Sequence, residues 1–203
     1  MTDDDIRNLP ASVETLSLGF SNYVTDLSSL PETCPNLKNL SLNSCSGITD
    51  LSFIYRLHSL EKVTLNDIAG VSQELLDYLK SQGIEFYITE DDVVASEMIP
   101  QILDQIIEDG MTDEEKIQAI ALYVSRHCKY KLFSADQSNE DPLSTTLLDG
   151  KGVCAGIAYT TNVLLRSAGI NSYEAVSNSH AWNLVELDGK YYYLDAVATH
   201  NCR

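Results

Sequence analysis

Three residues in the C-terminal half have the types and spacing that thiol chemistry requires. Cys154 stands in "GKGVCAGIAY" (150–159), where a glycine-flanked turn enters an apolar helical pattern. Ile157, Thr161, Leu164 and Leu165 share one helical face, and Gly169 suits the position just past a helix end. Cys154 therefore falls at or near a helix N-terminus, where unpaired N–H groups and the helix dipole favour a thiolate. Read alone, a buried cysteine pointing into the core is the alternative.

The downstream stretch "SHAWNLVELDGKYYYLDA" reads as two strands joined by the two-residue turn Asp188-Gly189. If Leu187 pairs with Lys190, Trp182 lies opposite Asp195 and His180 opposite residue 197. His180 and Asp195 are then diagonal neighbours on one face, within reach of an imidazole–carboxylate hydrogen bond. Such a bond fixes the imidazole tautomer and frees the other nitrogen to face a thiol. Taken singly, His180 reads as a core histidine and Asp195 as a strand-end cap. Together with Cys154 they form the constellation of a thiol nucleophile with an oriented base. The backbone N–H of Cys154 is the natural first oxyanion donor. The glycines at 150, 152 and 156 are expected to keep the approach clear for a substrate backbone.

Two helices must frame this group. Ile102, Leu103, Ile106 and Ile107 form a stripe that Gly110 ends, and "TDEEKIQAIALYVSRH" opens with a capping box from Thr112 to Glu115. The second helix places Ile117, Ile120, Ala121 and Val124 on one face.

The first half is built differently. Val13-x-x-Leu16-x-Leu18, Leu37-x-x-Leu40-x-Leu42 and Leu60-x-x-Val63-x-Leu65 recur every 23 or 24 residues, and "VTDLSSL" and "ITDLSFI" repeat with them. Ile84-x-Phe86-x-Ile88 is a weaker fourth strand. This is the leucine-rich-repeat pattern, in which each unit buries its open face only against the next. Cys45, in the turn after Leu42, reads as a buried structural thiol. "SQELLDYLKSQG" (72–83) reads as the helix of the third repeat, stopped by Gly83. The repeats offer a concave face to a protein partner, or they simply extend the packing of the second half of the chain. The expected division is residues 1–92 for the repeats and 93–203 for the second domain.

Composition narrows the partners. With 13 Lys and Arg against 30 Asp and Glu, the net charge is −17, which disfavours nucleic acid and anionic membrane surfaces. No apolar run approaches the roughly 20 residues of a membrane helix. The start, "MTDDDIRNLP", shows no signal peptide. Five cysteines at 34, 45, 128, 154 and 202 do not form a disulfide framework, and no CxxC or histidine pair points to zinc or another metal. The acidic stretch "ADQSNEDP" lacks the spacing of a calcium loop. His200 and Cys202 read as surface tail.

From about Met98 to Ala196 the chain resembles the transglutaminase-like (transglutaminase/protease) superfamily. The resemblance is carried by "GKGVCAGIA", "SHAWNLVELDGKYYYLDA" and the preceding "TDEEKIQAIALYVSRHCKY". Cys154, His180 and Asp195 match its catalytic positions. The resemblance implies an α+β fold, with a papain-like helix packed on an antiparallel sheet behind a short leucine-rich-repeat solenoid. It also implies cofactor-independent acyl transfer through a thioester on a protein or peptide amide. Trp182, Ala155 and Gly152 are candidate substrate contacts. Ala155 stands where larger polar residues are common, so contact there is expected to differ. The chain reads "LDAVATHNCR" where relatives often continue with Thr-Trp and a further acid. A scaffold-only domain serving a binding module is the alternative. If the N-terminus has been trimmed, the resemblance points to a secreted or cell-surface setting.

Overall fold

In a computed structural model, which describes residues 1–130 and 142–197, each L-x-L triplet of the first half sits in a short strand. The chain divides into two compact units, Met1–Glu97 and Met98–Arg203. In the first unit, helix α1 (Asp3–Arg7) is followed by β1 (Thr15–Gly19), α2 (Leu30–Thr33) and β2 (Asn39–Asn43). A 3-10 turn at Ser52–Arg56 then leads to β3 (Lys62–Asn66), α3 (Gln73–Gln82), β4 (Glu85–Tyr87) and α4 (Glu90–Ile106), which continues past Glu97 into the second unit. The four strands form one parallel sheet in sequence order.

The register follows the repeat. Leu16 pairs with Leu40 and Leu40 with Val63, while Leu18, Leu42 and Leu65 align in the same way. Alternate strand residues point inward, so these leucines build a continuous core with Leu27, Leu37, Phe53 and Leu79. The repeated aspartates work locally: Asp26 Oδ1 accepts the Ser28 N–H and Asp50 Oδ1 the Ser52 N–H, both at 2.8 Å. Neighbouring repeats approach so closely that a Cβ on Gly47 would lie 2.7 Å from the Val24 carbonyl oxygen. Cys45 is buried and unbridged, with Sγ 3.4 Å from the Asn43 carbonyl oxygen. Ser72 caps α3, and Gly83 ends it in the left-handed region at φ 70°.

Helix α4 begins twelve residues ahead of the stripe at 102–107. Its first turns are held by contacts within the first unit that no local periodicity reveals. Asp92 Oδ1 accepts the Asp67 N–H at 2.9 Å, and the Ser96 hydroxyl donates to the Ile68 carbonyl at 3.1 Å.

In the second unit, α5 (Asp113–His127) starts at the expected capping box, and Ile117, Ile120, Ala121 and Val124 are buried. Strand β5 (Lys129–Tyr130) pairs in parallel with β6 (Lys151–Gly152), and α6 (Pro142–Leu148) precedes β6. Sequence periodicity gives no sign of α6. Its seven residues include serine and two threonines, and the burial of Leu143 and Leu147 rather than propensity supports it. Helix α7 (Cys154–Ser167) packs against α5, α6 and an antiparallel sheet of β7 (Ser172–Val176), β8 (Ala181–Leu187) and β9 (Lys190–Leu194). Leu187 pairs with Lys190 as expected, across a turn with φ 50° at Asp188 and 71° at Gly189.

Ala181, Asn183 and Val185 on β8 are buried. The Asn183 side-chain amide donates to the Ala158 carbonyl of α7 at 2.9 Å, tying the histidine strand to the cysteine helix. Most of the acidic stretch (135–141), His200 and Cys202 lie outside the described residues.

Candidate active site

Cys154 is the first residue of α7. Val153, in the N-cap position, is extended (φ −86°, ψ 171°) and offers no side-chain cap. The Ile157 N–H bonds the Val153 carbonyl at 3.0 Å, which leaves the three N–H groups before it at the open end of the helix. Cys154 is half-buried, whereas Cys34, Cys45 and Cys128 are buried, and all four are unbridged. Burial pushes the Cys128 thiol up to about 11.

His180 is delivered by the tight turn between β7 and β8. The Ser177 N–H donates to the His180 carbonyl at 2.8 Å. The Ser177 hydroxyl oxygen accepts the N–H groups of Ser179 at 3.3 Å and His180 at 3.1 Å. The imidazole Nε2 lies 2.7 Å from Asp195 Oδ2. A carboxylate only accepts, so Nε2 carries the hydrogen and Nδ1 is left as the basic nitrogen. Asp195 is held from two further sides, by the Val197 N–H on Oδ1 at 2.9 Å and the Tyr193 hydroxyl on Oδ2 at 3.3 Å. Its side chain is 10% exposed against 32% for His180, so the bond is shielded on the carboxylate side.

Trp182 stacks between two rings, with centroids 6.0 Å from His180 and 5.5 Å from Tyr193. Tyr191 instead pairs with Tyr173. Ala155 is exposed beside the thiol.

The glycines require a correction. A Cβ on Gly152 would lie 3.1 Å from Ile157 Cγ1, 3.2 Å from Thr146 Oγ1 and 3.4 Å from Cys128 Sγ, all interior groups. On Gly156 it would meet Thr146 Oγ1 at 3.3 Å, and on Gly150 the His127 carbonyl oxygen at 3.1 Å. Gly152 is itself buried, so it serves close packing under the nucleophile rather than the approach of a substrate. Gly152→Ala is accordingly expected to lower the urea midpoint, by the equivalent of about 1–3 kcal/mol of overpacking. An unchanged midpoint would contradict the packing account.

Tyr130 is the residue that periodicity misses. The parallel pairing of β5 and β6 sets it beside Gly152, two residues before the nucleophile. Its phenol is raised above the ordinary range by burial, then by the charge and hydrogen bond of Cys154, and also by the charge of Asp195. Tyr130 therefore lies near enough to Cys154 and Asp195 for their charges to act on its phenol. Nothing in the sequence separates Tyr130 from the other tyrosines among the chain's eleven.

A groove of about 700 Å³ between the start of α5 and the β8–β9 hairpin is lined in part by Asp113, Glu114, Glu186, Asp188 and Tyr193, but not by Cys154, His180 or Asp195. Among the described residues no group of His, Cys, Asp and Glu is arranged to hold a metal ion. No described helix is long and apolar enough to cross a membrane.

Residues 100–196 match the sequence profile of the Transglutaminase-like superfamily, and residues 11–56 that of Leucine Rich repeats (2 copies). Human Kyphoscoliosis peptidase is 22% identical over 149 residues, covering 64% of this chain and 22% of that protein. A solved structure described as a TGase aligns with a TM-score of 0.45 at 19% identity, covering 61% of this chain and 37% of the other. The chain therefore spans well under half the length of either relative. It carries a transglutaminase-like superfamily domain, preceded in the sequence by leucine-rich repeats.

Proposed function

We propose that this chain is a cysteine-nucleophile acyl-transfer enzyme acting on peptide or isopeptide amides, with Cys154 as nucleophile, His180 as base and acid, and Asp195 as its orienting partner. The observation that carries the reading is the 2.7 Å bond from His180 Nε2 to Asp195, which fixes the imidazole tautomer and leaves Nδ1 as the base.

In the first half-reaction His180 Nδ1 takes the thiol proton and the sulfur attacks the amide carbonyl. The S–C bond forms, the C–N bond breaks, and His180 returns the proton to the departing amine. Water or a second amine then attacks the thioester and gives its proton to His180. The C–S bond breaks, and the thiol is regenerated with that proton. Two donors face the developing oxyanion: the Cys154 N–H at the helix start and the Tyr130 hydroxyl. The aromatic pair Trp182 and Tyr193 shields the imidazole from one side. The exposed Ala155 leaves the approach open. The leucine-rich repeats supply a surface for a protein partner.

The test is the pH dependence of Cys154 alkylation by iodoacetamide, localised by peptide mass mapping, in wild type and His180→Ala. The alkylation midpoint of Cys154 is expected to lie lower in wild type than in His180→Ala. Buried Cys34, Cys45 and Cys128 are expected to stay unlabelled in the folded protein at neutral pH, Cys128 doubly so because its thiol titrates only at about 11. Identical midpoints in wild type and His180→Ala would reject the catalytic pair and leave the scaffold reading.

A further inference from the structure

Thr146, on α6, is 1% exposed, and its hydroxyl is one of only two buried side-chain polar atoms without a hydrogen-bond partner among the described residues. Buried hydroxyls almost always find partners, because an unmade bond costs the desolvation of the group. An isosteric valine would remove that cost, so the retained hydroxyl calls for an explanation. Its position offers one. Oγ1 lies 3.2 Å from the point where a Cβ on Gly152 would sit and 3.3 Å from the corresponding point on Gly156. It therefore rests against the backbone on both sides of Cys154, under the first turn of α7.

That turn lacks what helices ordinarily have. An N-cap side chain usually accepts the N–H of the second or third helical residue, and here Val153 has no group to do so. Gly156 is the third residue, and its missing side chain is what lets Thr146 approach. A hydroxyl brings two acceptor lone pairs and one donor, and with no direct partner of its own it can serve such an N–H through one buried water.

We propose that Thr146 is a positioning residue for Cys154, its hydroxyl acting from a separate helix as the cap that Val153 cannot provide. With the deeper N–H served, the turn is held so that the N–H groups of Cys154 and Ala155 remain directed at the sulfur and the oxyanion. The inference deepens the thiol-nucleophile reading and rests on it. It places the determinant of reactivity behind the helix, on the side away from substrate.

The experiment compares wild type with Thr146→Val, which keeps the shape, and Thr146→Ser, which keeps the hydroxyl. The full chain is used, and both the Cys154 alkylation midpoint and the melting temperature are followed. Thr146→Val is expected to raise the midpoint by about half to one pH unit, the size of a lost cap. Its melting temperature is expected to fall by no more than a few degrees, as for other lost caps. Thr146→Ser is expected to keep the wild-type midpoint.

A midpoint in Thr146→Val equal to wild type overturns the proposal, as does a Thr146→Ser variant that shifts as far as the valine. If the valine variant fails to fold, Thr146→Ala against Thr146→Ser makes the same comparison. Equal midpoints in wild type and His180→Ala reject the nucleophile reading. The difference between wild type and valine decides the role of Thr146 in either case.

Discussion

Asp195→Asn is expected to slow acylation of Cys154 by p-nitrophenyl acetate by about 10²–10⁴ while leaving the melting temperature almost unchanged. The donors that surround the carboxylate decide the outcome. Oδ1 faces the Val197 N–H, which can only donate, and Oδ2 faces both His180 Nε2 and the Tyr193 hydroxyl. An asparagine must turn its single carbonyl oxygen to one of these sites. The Val197 N–H is fixed by the backbone, whereas the imidazole can change tautomer and the phenol can rotate. The oxygen therefore goes to Val197 and the amide NH₂ to His180, which forces Nε2 to accept. The ring proton then moves to Nδ1, the nitrogen that would have taken the thiol proton. The side chain keeps its volume and the site keeps its shape, but the base is in the wrong tautomer. A loss smaller than about tenfold would mean that His180 does not need this tautomer. Roles for His180 and Asp195 as base and orienter would then fall together.

Much of this arrangement is legible in the sequence, and the parts that are not share a physical reason. The 23- and 24-residue period declares the parallel ladder because each leucine contributes to a burial pattern that repeats along the chain. The Asp188-Gly189 turn fixes the β8–β9 register, and from that register alone His180 and Asp195 fall on one face. The helix start at Cys154 is declared by the apolar stripe behind it. Tyr130 and Thr146 are invisible to such reasoning because each reaches the nucleophile through contacts between separate segments. Tyr130 arrives through a two-residue parallel pairing across more than twenty residues, and Thr146 through a helix too short to leave a periodic signature. Ser177 is missed similarly, since a serine four residues from the next strand reads as an ordinary turn. The inward placement of Gly152 and Gly156 is the same lesson in reverse. Glycines near a nucleophile suggest an open approach, yet only the packing of α6 shows which side of the chain needs the space.

Tyr130→Phe separates a transition-state role from a structural one. Its phenol lies within the field of Cys154 and Asp195, near enough to the sulfur for the hydroxyl to donate toward it. When the sulfur becomes bonded to carbon, that donor is free to serve the oxyanion beside the Cys154 N–H. Removing one such donor typically costs about 10²–10³ in rate, because the charge it serves exists only in the transition state. Alkylation by iodoacetamide develops no oxyanion. At pH 9, where the thiolate is formed without help, it should proceed within about threefold of wild type in the variant. Acylation by p-nitrophenyl acetate at the same pH should fall by about a hundredfold. A ring that merely packed over the thiol would change both reactions alike, since phenylalanine keeps the ring and loses only the oxygen. Equal effects on the two reagents would remove Tyr130 from the chemistry and leave the Cys154 N–H as the sole donor argued for the oxyanion.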